Sequence, residues 1–202
     1  MRVGGGRNKG QRLRYPSRGL RPTKDIVKQA IINILRPWLP GAQVLDLFAG
    51  AGALGLEALS AGADTGLFVE KNRRTARLLR ENGQPFGTRV EVVPGDALKI
   101  IAKLAGREFD VIIADPPYDC GFDSAVLEAV ARHGLLARAG VLVLEHGRRD
   151  NPVIPAGLEL TKQHGFGDTV VSVLRKVEAL TARPSPIGRG EGVEGLCGGV
   201  KE

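Results

Sequence analysis

The chain has 202 residues, a net charge of +7, and no apolar run long enough to span a membrane, so one α/β-sized domain without a transmembrane segment is expected. Only Cys120 and Cys197 are present, outside any CxxC spacing, and His133, His146 and His164 share no ligand spacing. A disulfide framework and a metal centre are therefore not expected; a reducing cytoplasm is, and no apolar stretch follows the basic N-terminus as a secretory signal would require.

Charge is concentrated at the start of the chain. Eight of the 29 basic residues precede Asp25 with no acid among them, which leaves 21 basic against 22 acidic residues in the remainder. Such an arm suits a polyanion, because each cation can displace a phosphate counterion; a purely solvated arm is the alternative. Residues 1–21 read as a small hairpin or an extended arm. Pro22 then heads a helix to about Leu35, whose apolar set Ile26, Val27, Ala30, Ile31, Ile34 and Leu35 recurs at helical spacing. Pro37 and Pro40-Gly41 stop it.

The central stretch is Val44–Leu59, VLDLFAGAGALGLEAL. An apolar run breaks at Ala49-Gly50-Ala51-Gly52 and a helix-prone segment follows, which predicts a buried strand, a tight turn and a helix. Gly50 and Gly52 let the backbone turn sharply and let a ligand approach, and the helix N-terminus offers free N–H groups. Gly50-x-Gly52-x-x-Gly55 satisfies the dinucleotide pattern, with Glu70 placed as a ribose acceptor. Asp46, however, sits in the strand four residues before Gly50, where its charge would repel a pyrophosphate and attract a cation. S-adenosylmethionine, with its sulfonium and ammonium groups, fits that acid better than NAD.

Further along, Gly66–Glu70, Arg89–Val93, Phe109–Ala114 and Val141–Glu145 read as strands. They alternate with helices at Lys71–Asn82, after Asp96, and at Asp123–His133. This order predicts a doubly wound, mostly parallel α/β sheet. Leu158–His164 and Thr169–Lys176, joined through Gly165-Phe166-Gly167, predict an antiparallel hairpin closing it. Residues 22–178 form the predicted domain, and 179–202, with Pro184, Pro186 and six glycines, a tail without function of its own. No internal repeat is evident.

Four carboxylates, Asp46, Glu70, Asp96 and Asp115, fall at or just beyond strand carboxyl ends, where open α/β sheets bind ligands. Any one of them could be a helix cap, Asp96 most readily; together they describe a pocket rich in acceptors. The sharpest motif is Asp115-Pro116-Pro117-Tyr118 after the fourth strand. The prolines fix the backbone, and a carboxylate with a rigid carbonyl can accept both hydrogens of an exocyclic NH2 group. Tyr118 supplies a face for stacking a base. These acceptors can orient the amine and offset the charge that grows on its nitrogen during methyl transfer. The bland alternative is a proline turn after a strand.

Asp46-Leu-Phe-Ala-Gly-Ala-Gly52 with Asp115–Tyr118 resembles the Rossmann-like amino-methyltransferases of base exocyclic nitrogens. The basic opening, Gly19-Leu-Arg-Pro-Thr23 and Gly52–Ser60 are similar to the bacterial 16S ribosomal RNA guanine-N2-methyltransferase D family, over roughly residues 2–177. That resemblance implies S-adenosylmethionine as cofactor, with Asp46, Gly50 and Gly52 around its methionine part. It implies Glu70 on the ribose, Asp96 and Ala97 at the adenine, and Thr23 with Arg21 near the mouth. Asp115, Pro116, Pro117 and Tyr118 would hold a flipped guanine. Arg7, Lys9, Arg12, Arg14 and Arg21 would meet the phosphates of 16S rRNA or a small-subunit assembly intermediate, and a monomer is the default. Gly4-Gly5-Gly6 departs from the expected opening strand. Adenine-N6 methylation, an NAD-binding oxidoreductase and a non-catalytic RNA-binding module remain as other readings.

Overall fold

The computed structural model describes residues 2–15, 22–117 and 121–177. It is built on a seven-stranded sheet of order β3-β2-β1-β4-β5-β7-β6. The strands are β1 (Gln43–Asp46), β2 (Thr65–Glu70), β3 (Val90–Pro94), β4 (Phe109–Ala114), β5 (Leu136–Gly147), β6 (Leu158–Phe166) and β7 (Thr169–Lys176). The first five run parallel, and β7 pairs antiparallel with both β5 and β6. This is the expected Rossmann-like doubly wound sheet with its closing hairpin. The order reverses between β1 and β4, the place where such sheets open a crevice for ligands. Pro94 is accommodated because β3 is an edge strand. The other edge, β6, is largely exposed and carries Glu159 and Lys162, charges that discourage pairing with another chain.

Helices α1 (Pro22–Leu35), α2 (Ala53–Ser60), α3 (Arg73–Gly83), α4 (Ala97–Lys103) and α5 (Phe122–Arg132) complete the chain. Side-chain alternation along the strands splits the interior into two layers. Val44, Phe68, Val111, Ile113, Val141 and Val143 pack with α1 and α2 on one face. Leu45, Leu67, Ile112, Leu142 and Leu144 pack with α4 and α5 on the other. Helix α1 presents a rotated version of the expected stripe. Ile26 is 63% exposed, whereas Ile32 and the cationic Lys28 are buried beside Val27 and Ile31. Strand β5 begins earlier than its apolar run because Leu136 pairs with Phe109 before a bulge; Ala137–Gly140 carries no alternation to signal this. A 3₁₀ segment at Gln84–Arg89, containing Pro85, follows α3.

The glycine-rich opening is an ordered hairpin. Val3 N–H donates to the Gln11 carbonyl at 3.0 Å and Gly10 N–H to Val3 at 2.9 Å. Val3 and Leu13 are buried in the α1–α2 layer. Helix α2 holds the hairpin through Glu57 and Ser60: Gly4 N–H donates to Glu57 Oε1 at 2.8 Å, Asn8 N–H to Ser60 Oγ at 2.9 Å, and Arg7 N–H to the Ser60 carbonyl at 2.8 Å. Gly6 explains the departure noted in the sequence. It has φ +76°, and a β-carbon there would lie 1.8 Å from the Ser60 carbonyl oxygen. Gly6→Ala is therefore expected to release the hairpin at a cost of about 1–3 kcal/mol. Hydrogen exchange at the Val3 and Arg7 amides should accelerate while that of β1 and β4 stays slow.

Candidate active site at the carboxyl ends of the strands

The same alternation that fills the α1–α2 layer sets the site. Asp46 follows Val44, Glu70 follows Phe68 and Glu145 follows Val143, each two residues further along its strand, and Asp115 follows Ile113 by two, one residue past the end of β4. The four carboxylates thus stand beyond the apolar core at the ends of the adjacent strands β2, β1, β4 and β5. A cavity of about 200 Å³ opens there, bounded among others by Asp46, Phe48, Gly50, Asp115, Glu145 and Lys28.

Asp46 is 3% exposed and braces the glycine loop from below, accepting from Gly55 N–H at 3.1 Å and from the Phe48 amide. Burial pushes its carboxyl up to about 7. The two amide bonds oppose that rise, and nearby Glu70 adds to it. Glu70 accepts from Gly50 N–H at 2.9 Å and from Asn72 N–H at 2.6 Å. Asn72 in turn caps α3, accepting from Arg74 N–H at 2.9 Å and Thr75 N–H at 3.1 Å. The acid at the end of β2 therefore fixes the loop to the next helix.

Gly50 has φ +53° and nothing within 4 Å of where a β-carbon would stand, so the loop backbone is open to a ligand at that point. Gly52, at the head of α2, turns inward and donates to the Ala49 carbonyl at 2.7 Å. The third glycine of the dinucleotide-like pattern serves packing instead, since a β-carbon on Gly55 would stand 2.3 Å from the Phe68 ring.

Asp96 and Ala97 start α4 beyond β3, beside Glu70 but away from the cavity wall. Asp96 pairs with Lys71 at 3.2 Å, and that bond holds its carboxyl below the usual range. Asp115 is half-buried, Pro116 buried and Pro117 exposed at the end of β4. Tyr118, Arg21 and the side chain of Thr23 lie outside the described residues, as does the predicted tail at 179–202. Arg7, Lys9, Arg12 and Arg14 all project from the hairpin into solvent.

Three residues of the site escape a reading of motifs. Glu145 is 7% exposed, and its only signal is a carboxylate ending the apolar run of β5, the same signal Asp46 gives on β1. Lys28 is 8% exposed and pairs with Glu57 at 2.8 Å, which links the cavity wall to the carboxylate that anchors the hairpin. Tyr15 closes the cavity from the hairpin side. Burial, with Asp25, Glu57 and Asp46 adding to it, holds its hydroxyl firmly protonated. Among the described residues no group of His, Cys, Asp or Glu could hold a metal ion, and no helix is long and apolar enough to cross a membrane.

Known proteins share the sequence and the fold. Residues 1–175 match the family model described as conserved hypothetical protein 95. The chain is 31% identical over 179 residues to ribosomal RNA small subunit methyltransferase D of Escherichia coli K12, covering 87% of this chain and 90% of that protein. A hypothetical protein of Thermus thermophilus, TTHA0928, superimposes with a TM-score of 0.74 at 30% identity, over 88% of this chain and 99% of that one. SMU.776, solved in complex with SAH, has a TM-score of 0.62 over 79% of this chain and 52% of that one; at 16% identity it shares the fold alone.

Proposed function

The chain belongs to the conserved hypothetical protein 95 family, and from that premise we propose that it methylates the exocyclic N2 amine of a guanine in small-subunit ribosomal RNA. It is an S-adenosylmethionine-dependent methyltransferase: the E. coli relative, 31% identical, is named a methyltransferase, and the acid-lined cavity beside the glycine loop suits that cofactor. The observation that carries the choice of an amine is the placement of Asp115 directly after β4, in the same cavity as Asp46, with the rigid Pro116 next in the chain.

The cavity fits the cofactor on its own chemistry. Gly50 leaves open space at the loop, and the carboxylates of Asp46, Asp115 and Glu145 line a wall that favours a cation. When bound, S-adenosylmethionine supplies an electrophilic methyl group on a sulfonium centre. Asp46 and the Gly50 backbone would hold its methionine part, and Glu70, Asp96 and Ala97 its nucleoside part, with Thr23 near the mouth. Asp115 and the Pro116 carbonyl would accept the two amine hydrogens, which turns the nitrogen lone pair out of conjugation with the ring. The Asp115 charge then offsets the positive charge growing on nitrogen. Pro117 stiffens the turn and Tyr118 would stack on the extruded base. Arg7, Lys9, Arg12, Arg14 and Arg21 would meet rRNA phosphates, which positions the substrate without reading its sequence.

A carboxyl near 7 gives this pocket a pH signature. In the empty protein, Asp46 stabilises the fold most below its ordinary value of 3.8, and that contribution is lost as pH rises through about 7. A cation in the cavity favours the ionised form, so cofactor affinity should rise about tenfold from about pH 6 to about pH 8, with proton release on binding. Calorimetric titration in buffers of different ionisation enthalpy would read that release. Asp46→Asn should weaken binding and remove the pH dependence; a flat wild-type profile would count against Asp46 as the acid that meets the cation.

The deciding assay offers labelled S-adenosylmethionine with naked small-subunit rRNA and with ribonucleoprotein subunits, followed by nucleoside analysis. N2-methylguanosine is the expected product. N6-methyladenine would keep the chemistry and move the substrate.

A further inference from the structure

We propose that the groove between hairpin residues 11–15 and the C-terminal half of α3 guides the RNA strand into the donor cavity, with Tyr15 at the junction of the two. This rests on the RNA-methyltransferase reading above and adds to it the route by which the substrate arrives.

The groove measures about 1150 Å³. That is above the roughly 300–1,000 Å³ of small-molecule sites, and it suits a polymer laid along it. The hairpin wall is cationic: Arg12 and Arg14 line it and stand exposed. On α3 the exposed Arg77 adjoins the groove through the lining acid Glu81, without itself lining it. Glu81 is the single acid among the groove's lining residues. Arg14 and Arg77 each approach it at only 3.6 Å, with their side chains 76% and 84% exposed. Such loose surface pairs contribute little, so a phosphate can take both arginines from Glu81 at small cost. Gln11 and Gln84 add carboxamides to the lining, suited to ribose hydroxyls and base edges.

Two links join this groove to the chemistry. Tyr15 lines both the groove and the donor cavity. Asn82, beneath the groove, accepts from Arg14 N–H at 2.9 Å and donates to the carbonyls of Arg14 and Ala51, each at 2.9 Å. Ala51 belongs to the glycine loop that bounds the cavity. One side chain thus fixes the hairpin wall and the cofactor loop in a common frame, and a strand in the groove is delivered to Asp115 with its approach already set.

The test is binding of labelled small-subunit rRNA to the full chain by fluorescence anisotropy across a salt series, with S-adenosylhomocysteine affinity as the control for an intact fold. Arg77→Glu and Gln84→Glu should each weaken RNA binding about tenfold near 0.1 M salt, and Arg77→Glu should lower the salt slope by about 1. Cofactor-product affinity should not move. Lys103→Glu makes the same charge change as Arg77→Glu on the exposed end of α4, in the opposite layer, and should leave both affinities as they are. If the wild type binds and methylates rRNA while Arg77→Glu behaves like Lys103→Glu, the groove is not the route and the methyltransferase reading stands. If the wild type neither binds nor methylates rRNA, that reading fails and the groove falls with it.

Discussion

Asp115→Ala is expected to lower the rate of methyl transfer by about 10²–10³ while S-adenosylhomocysteine binding changes little. The loss would fall on turnover because, in the proposed mechanism, the carboxylate acts on the amine during transfer, whereas the loop amides and Asp46 would hold the cofactor. Asp115→Asn separates two parts of the role. It keeps one acceptor oxygen but removes the charge that offsets the developing ammonium, so its activity should lie between wild type and alanine. Single-turnover measurements with saturating RNA isolate this step from binding. An alanine variant that turns over at the wild-type rate would remove Asp115 from the chemistry.

Glu57→Ala is expected to be the most damaging change to stability outside the sheet, at about 3–5 kcal/mol. Glu57 has only 2% of its side chain exposed and lies 2.8 Å from Lys28, whose side chain is 9% exposed. Removing it strips Lys28 of that counter-charge and takes the acceptor from Gly4 N–H. Urea denaturation should show a lower midpoint. Lys28→Met combined with Glu57→Ala should recover part of the loss, because no uncompensated charge then remains. A single variant within 1 kcal/mol of wild type, taken as about the scale of a surface pair, would mean the pair is screened by water.

The sequence carried the elements that local chemistry dictates. The apolar run into Ala49–Gly52 marks β1, its turn and α2, and period-two alternation puts Asp46, Glu70 and Asp115 at strand ends with the correct facing. Asp115–Pro117 was legible because two prolines after a buried strand leave few conformations. What could not be read depends on partners distant in the chain. Lys28 looks like a surface cation until Glu57 is placed beside it, and Ile26 looks like core until α1 is rotated against α2. Gly4-Gly5-Gly6 looks like looseness until the Ser60 carbonyl is seen against Gly6. Glu145 was hidden for a different reason: its acid ends an apolar run with no motif around it, and only strand order places it next to Asp115.

The anchoring of the hairpin also dictates when it can form. Its fixed points lie 53, 52 and 68 residues downstream, at Glu57, Ser60 and Asn82. The hairpin is therefore among the last elements to settle, since its docking surface is incomplete until both α2 and α3 are in place. Until then its cations Arg7, Lys9, Arg12 and Arg14 lie on a segment without a fixed frame. Folding of the chain and a first contact with RNA, its proposed substrate, would then overlap in time.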